Sequence, residues 1–188
     1  MSGVLLHLLR HGAPETPGLL MGRTDGAPTP AGVAACVERA ASLDVEAIVS
    51  SGLVRCDRAA DAIGDKLARA VSIDPRWREL DFGEWDGKAS GEIDRAALGR
   101  FWDDPDANPS PGGERWSALV TRVGAALAEV RHPLLVVTHG GAMRAALSVL
   151  CGFDHRQCWA FDLPYAALLS FRLWPGEPLS GQIVGLQI

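Results

Sequence analysis

The chain lacks three things, and each absence removes a class of protein. No apolar run approaches the length of a membrane span, so no bilayer-crossing helix and no membrane partner are expected. The four cysteines, Cys36, Cys56, Cys151 and Cys158, show no CxxC spacing. They read as reduced thiols, and a structural zinc site is not expected. Positive charge is not in excess. The formal net charge is −5, which supplies no basic field for nucleic acid. Any anion site must therefore be local and built against the average charge. The pattern enters a strand almost at Met1, leaving no room for a signal peptide, and the expectation is a cytoplasmic protein. No solenoid-period repeat and no low-complexity tract is present.

What is present suits one globular domain over residues 1–188. Hydrophobic residues make up 47% and charged residues 22%, a balance that builds a core rather than a disordered chain. Val4 to Gly12, VLLHLLRHG, is an apolar run ending in a cation, an imidazole and a glycine. The run reads as a buried strand. Its carboxyl end is where open α/β sheets place ligands. Arg10 offers a planar fork of donors for an oxyanion. His11 suits a nucleophile, a base or a metal ligand. Gly12 permits close backbone approach to a ligand.

Strand and helix signals then alternate. A Pro- and Gly-rich loop follows Gly12, with Arg23 and Asp25 as its charged points. Thr29-Pro30 reads as N-cap and first helical residue of a helix to about Leu43. Ala47 to Ser51 is a second strand, and Arg55 starts a helix to about Arg69. Val71 to Asp74 is a short strand. Pro75 to Gly87, PRWRELDFGEWDG, fits neither helix nor strand and carries four carboxylates, Glu79, Asp81, Glu84 and Asp86. One of these held against Trp77, Phe82 or Trp85 would act as an acid with a raised pKa. Residues 88 to 102 look weakly helical, and 103 to 114 form a second long loop.

Trp116 to Val130 has helical period. Leu134 to Thr138 is a strand ending in His139, Gly140 and Gly141, and a helix follows to about Leu150. The segments Leu163 to Trp174 and Gln182 to Ile188 read as strands too close for a helical crossover, so they pair antiparallel. The fold class is α/β: a three-layer sandwich with a mostly parallel sheet of about six strands. Helices cover both faces, and one antiparallel strand lies at the edge.

Three strand ends thus carry Arg10 with His11, Arg55, and His139. Two imidazoles and two guanidinium groups converging in an acidic protein call for an anion, and phosphate matches the bidentate geometry of arginine.

Six blocks in order then resemble the histidine phosphatase superfamily, the phosphoglycerate-mutase-like fold, over nearly the whole chain. They are LLRHG (Leu8 to Gly12), GRTDGAPTPAG from Gly22, SSGLVRCDRAA from Ser50, RELDFGEWDG from Arg78, PGGE (Pro111 to Glu114) and VVTHGG (Val136 to Gly141). The resemblance implies His11 as phosphohistidine nucleophile and Glu79 as general acid and then base. It implies Arg10, Arg55, His139 and the Gly140 amide as ligands of the phosphoryl oxygens. It also implies chemistry without metal or other cofactor. Gly12 and Arg23 are candidate substrate contacts. The family pattern is broken at Ala13 (often Glu), Pro17 (often Asn, a phosphate contact) and Ala59 (usually Thr).

His7 reads as structural, His132 as solvent-facing, His155 as a loop residue and Arg58 as a surface cation. Cys56, beside Arg55, reads as a packed thiol, with a depressed pKa as the alternative. Trp85, Trp102 and Trp116 read as core or loop anchors, one of which lines the leaving-group pocket in the alternative reading. The expected function is a phosphomonoesterase acting on a small-molecule phosphate ester. Length, MGRTD and FGEWDG look most like the α-ribazole-5′-phosphate phosphatases of cobalamin assembly. A phosphoglycerate mutase and a non-catalytic phospho-ligand-binding protein are the rival readings.

Overall fold

The computed structural model describes residues 3–188. Among these residues six strands form one sheet: β1 (Val4–Arg10), β2 (Ala47–Ser50), β3 (Val71–Ile73), β4 (Leu134–Thr138), β5 (Leu168–Trp174) and β6 (Ser180–Gln187). Their spatial order is β3-β2-β4-β1-β5-β6. The first four run parallel, and the antiparallel part lies at the other edge, where β5 runs against both β1 and β6. The reversing strand is therefore β5, one place in, and β6 closes the sheet.

The central strands are mostly apolar on both sides because both faces are covered. On β1, Leu6 and Leu8 point into one core and Leu9 into the other; on β4, Val136 and Val137 divide in the same way. The smaller core is closed by α1 (Pro30–Ala40) and α2 (Val54–Leu67), through Cys36, Ala40, Ala60 and Ile63. The larger is closed by α3 (Arg95–Asp103), α4 (Trp116–Leu127) and α5 (Gly140–Cys151), through Phe101, Leu119, Leu127 and Met143. A short helix, α6 (His155–Cys158), follows where the sequence reads as loop. Its start is a reciprocal cap between Asp154 and Gln157, a four-residue signal that apolar periodicity does not register.

Helix starts follow the chemistry of their caps. Thr29 Oγ1 accepts from Gly32 N at 3.0 Å with Pro30 in the first position, which satisfies a donor that the helix leaves orphaned. α1 ends at Ala40, short of Leu43, with the chain turning through Ala41. β5 begins at Leu168 rather than Leu163. Residues 163–167 instead bend beside the end of β1, where Ala167 O accepts from Arg10 N at 2.9 Å and Ala166 N donates to His11 O at 3.2 Å.

Candidate active site

Register places Arg10 beside Thr138, so the chain leaves β1 and β4 at one edge, and His11 and His139 follow. His11 N donates to Thr138 O at 2.9 Å, which fixes where the imidazole starts. Its Nδ1 lies 2.8 Å from Gly12 O. A carbonyl only accepts, so Nδ1 carries the proton and Nε2 keeps the lone pair. Burial and the Arg55 charge, followed by Arg10, push the His11 pKa down to about 3 against the opposing Gly12 bond. The ring is therefore neutral at ordinary pH.

His139 lies deeper and has no exposed surface. Its Nδ1 accepts from Arg55 Nε at 3.3 Å, so Nε2 carries the proton and faces Ser51 Oγ at 2.9 Å. Burial first, then Arg55 and His11, hold its pKa well below the usual histidine value. It meets His11 edge to face, with ring centroids 5.1 Å apart. No nitrogen of His139 is free for a ligand in this arrangement.

Arg10 and Arg55 diverge as well. Arg10 Nη1 donates to Leu163 O at 2.6 Å, its guanidinium covers Tyr165 at 4.4 Å from the ring centroid, and its Nε is buried without a partner. Arg55 is fully buried. Besides His139 it donates to Thr24 O at 2.8 Å, Met21 O at 2.7 Å and Gly22 O at 3.3 Å. Four of its five N–H groups are engaged. In this arrangement the Arg55 fork holds the loop after β1. Asp86 grips the same loop through the amides of Gly22, Arg23 and Thr24 at 2.8–3.0 Å.

Among the four carboxylates of the 75–87 stretch, only Glu79 enters the cavity with His11. Oε1 accepts from Leu80 N at 2.8 Å and Oε2 from Gly141 N at 3.1 Å. A Cβ at Gly141 would overlap Oε1, so that glycine is what admits the carboxylate. Arg122 of α4 holds the stretch in place. It donates to the carbonyls of Arg76, Arg78 and Glu79 at 2.7, 2.8 and 2.9 Å and pairs with Glu114 at 2.7 Å. Asp81 instead pairs with Arg23 at 2.7 Å, and Glu84 is exposed.

The cavity is about 240 Å³, near the small end of ligand sites, roughly 300–1,000 Å³. Its floor is Arg10, His11, Glu79, Gly140, Gly141 and Arg144; its walls include Phe101, Trp102, Trp116, Trp159 and Tyr165. Gly140 opens α5, so the N-terminus of that helix lies at the floor, where an anion is favoured.

Gly12 and Arg23 do not line this cavity. The tight approach at Gly12 is to the Gly32 backbone of α1. Arg23 is largely exposed and faces a neighbouring cleft that shares Glu79. Pro17 is exposed and does not line the cavity. Burial pushes the Cys56 thiol up to about 12, which makes it the packed thiol and not a thiolate. Trp85 is core, whereas Trp102 and Trp116 line the cavity. His7 pairs across to Ser170 at 2.8 Å, and Arg58 and His132 are exposed. His155 bonds Asp103 O at 2.7 Å, tying α6 to α3.

Arg144, Trp159 and Tyr165 are cavity residues that sequence reasoning missed. Arg144 sits one turn after Gly140 on α5, at a spacing that is a readable signal. Tyr165 arrives only because β5 runs antiparallel to β1. Among the described residues no group of three or more His, Cys, Asp or Glu is placed to hold a metal ion.

A family model described as the histidine phosphatase superfamily, branch 1, matches residues 6–182. A Hydrogenobacter thermophilus protein provisionally named phosphoserine phosphatase 2 is 28% identical over 180 residues, covering 89% of each chain. A Salmonella choleraesuis protein provisionally named a phosphoglycerate mutase is 31% identical over 171 residues, 82% of this chain and 77% of that one. The solved structure of a mycobacterial glucosyl-3-phosphoglycerate phosphatase superposes with a TM-score of 0.86 over 97% of both chains at 23% identity, a likeness of fold.

Proposed function

We propose, because the chain belongs to the histidine phosphatase superfamily, that it is a phosphomonoesterase working through a phosphohistidine at His11. Membership makes it a phosphoryl-transfer enzyme of the phosphatase kind. The observation that supports the phosphohistidine mechanism is the Nδ1 bond from His11 to Gly12 O. It leaves Nε2 unprotonated in a cavity shared with Arg10, Glu79 and the start of α5.

Nε2 attacks phosphorus, the P–O bond to the leaving group breaks, and the Glu79 carboxyl gives its proton to that oxygen. Water then attacks phosphorus, the N–P bond breaks, and Glu79 takes the proton back. Such a transfer depends on positioning and charge stabilisation. Arg10, Arg144 and the Gly140 amide face the phosphoryl oxygens. Arg55 and His139 act from behind as positioning residues, holding the loop and the His11 ring. These cations take the part that a metal plays elsewhere, and unchanged turnover in a chelator is the expected result.

α-Ribazole-5′-phosphate is the specific substrate we rank first, on the MGRTD and FGEWDG resemblance. Mutase action is the second reading, favoured by the relative named a phosphoglycerate mutase. Rapid-quench labelling during turnover of a panel of phosphate esters, α-ribazole-5′-phosphate and 3-phosphoglycerate included, tests the proposal. The expected result is phosphate release with acid-labile label on His11. Phosphate release with no label would overturn the mechanism; conversion of 3-phosphoglycerate to its isomer without release would replace hydrolysis by the second reading.

A further inference from the structure

We infer that the site selects esters whose leaving group is an uncharged aromatic ring on an alkyl oxygen. This rests on the phosphatase reading above and adds the substrate class.

The wall above the floor is an unbroken aromatic array. Phe82 and Trp85 meet Phe101 at 6.1 and 5.6 Å between centroids. Phe101 meets Trp102 at 4.8 Å, and Trp102 meets Trp159 at 5.0 Å with the rings at 90°. Edge-to-face pairs of this kind are the favoured arrangement for rings, so the wall stands formed without a ligand. The array emerges at the rim, where Trp102 is 39% and Trp159 46% exposed. Large apolar side chains left at a cavity mouth mark a binding surface. α3, which carries Trp102, and α6, which Trp159 directly follows, are tied together by the His155–Asp103 bond.

The charges of the cavity are all on the floor. Arg144 Nη1 donates to Gly140 O at 3.3 Å, and its guanidinium lies 3.9 Å from the Trp159 ring centroid, pinning that ring as a wall. Its Nε is buried without a partner, and a Cβ at Gly140 would sit 3.1 Å from its Nη1 and 3.7 Å from Arg10 Cζ. Arg10 and Arg144 therefore flank the same residue and serve the same phosphoryl group. Among the described residues that line the cavity, Arg10 and Arg144 are the only arginine or lysine side chains, which leaves no further cation for a second anion. A carboxylate on the leaving group, as in phosphoserine or phosphoglycerate, would lose water there without a partner, which is unfavourable. A flat apolar ring gains by the same burial.

The test compares kcat/KM for 2-phenylethyl phosphate and 2-(1-naphthyl)ethyl phosphate with O-phosphoserine and 3-phosphoglycerate. All four have alkyl oxygens as leaving atoms. The aryl esters are expected to lead by about tenfold or more. Trp102→Ala and Trp159→Ala are each expected to cut that lead by most of its value, through KM. Equal or better turnover of the carboxylated esters, or an undiminished lead in both variants, would overturn the inference and give Arg144 to a carboxylate. Binding of 2-(1-naphthyl)ethylphosphonate against phosphoserine, by calorimetry, decides the matter separately should no ester be hydrolysed. Tighter phosphonate binding supports the wall even if the phosphatase reading fails; equal or weaker binding overturns it.

Discussion

The ends of β1 and β4 look alike in sequence, each an apolar strand running into histidine and glycine, yet they do different work. His11 leaves its strand into an irregular loop. Its Nδ1 is held by the next carbonyl, and Nε2 has the cavity before it. His139 leaves its strand into a 12-residue helix, and both of its nitrogens are held by protein groups. The arginines split in the same way: Arg10 keeps an unpartnered Nε near the floor, and Arg55 binds loop carbonyls. The lesson is that a residue's hydrogen-bond partners, more than its type or motif, decide whether it faces a ligand or supports one that does.

The sharpest way to break this comparison is to delete each histidine. His11→Ala is expected to abolish phosphoenzyme and turnover while the fold survives. His139→Ala is expected to keep a measurable rate, lowered on the order of 10²-fold, as for a displaced reacting group. It is also expected to destabilise the fold by about 1–3 kcal/mol, because Arg55 Nε and Ser51 lose a buried partner. Rapid-quench labelling and urea unfolding read the two effects. Phosphoenzyme at the normal level in His11→Ala, or a total loss confined to His139→Ala, would reverse the roles.

A smaller effect sharpens the placement of the acid. Positioned acid catalysis is worth roughly 10²–10⁴-fold, and an alkoxide needs it more than a nitrophenolate. Glu79→Gln should lose that much with an alkyl ester. It should lose far less in the burst phase with p-nitrophenyl phosphate. Asp81→Asn, which breaks the Arg23 pair, and Glu84→Gln should show no such dependence. A leaving-group dependence at either of them, and none at Glu79, would move the acid.

The smallest expected effect is on acid stability. Both site histidines titrate lower folded than unfolded, His11 near 3. Between about pH 6.5 and that value the unfolded chain binds more protons. Stability therefore rises with pH across the window and is lost as pH falls. Urea midpoints taken from pH 7 to pH 4 should fall for the parent chain and fall less steeply for His11→Gln. Identical slopes would mean that the His11 ring charges in the folded state.

The sequence was sufficient for the alternation of strands and helices, and for placing Arg10, His11 and His139 at strand ends. These rest on short-range apolar periodicity and on glycine, proline and cap residues, whose effects are local. The sequence pointed to Glu79 only through the resemblance carried by RELDFGEWDG, and not through residue types alone. It left open which of four neighbouring carboxylates enters the cavity, because all four lie in a stretch without period; Gly141 and Arg122, from α5 and α4, make the choice. The tertiary structure alone decided that Arg55 supports a loop and that Tyr165 reaches the site. It also decided that Trp102 of α3 and Trp159, just after α6, meet as one rim. Each is a contact between residues far apart in the chain, and its partner is set by the direction and order of strands rather than by any neighbouring residue.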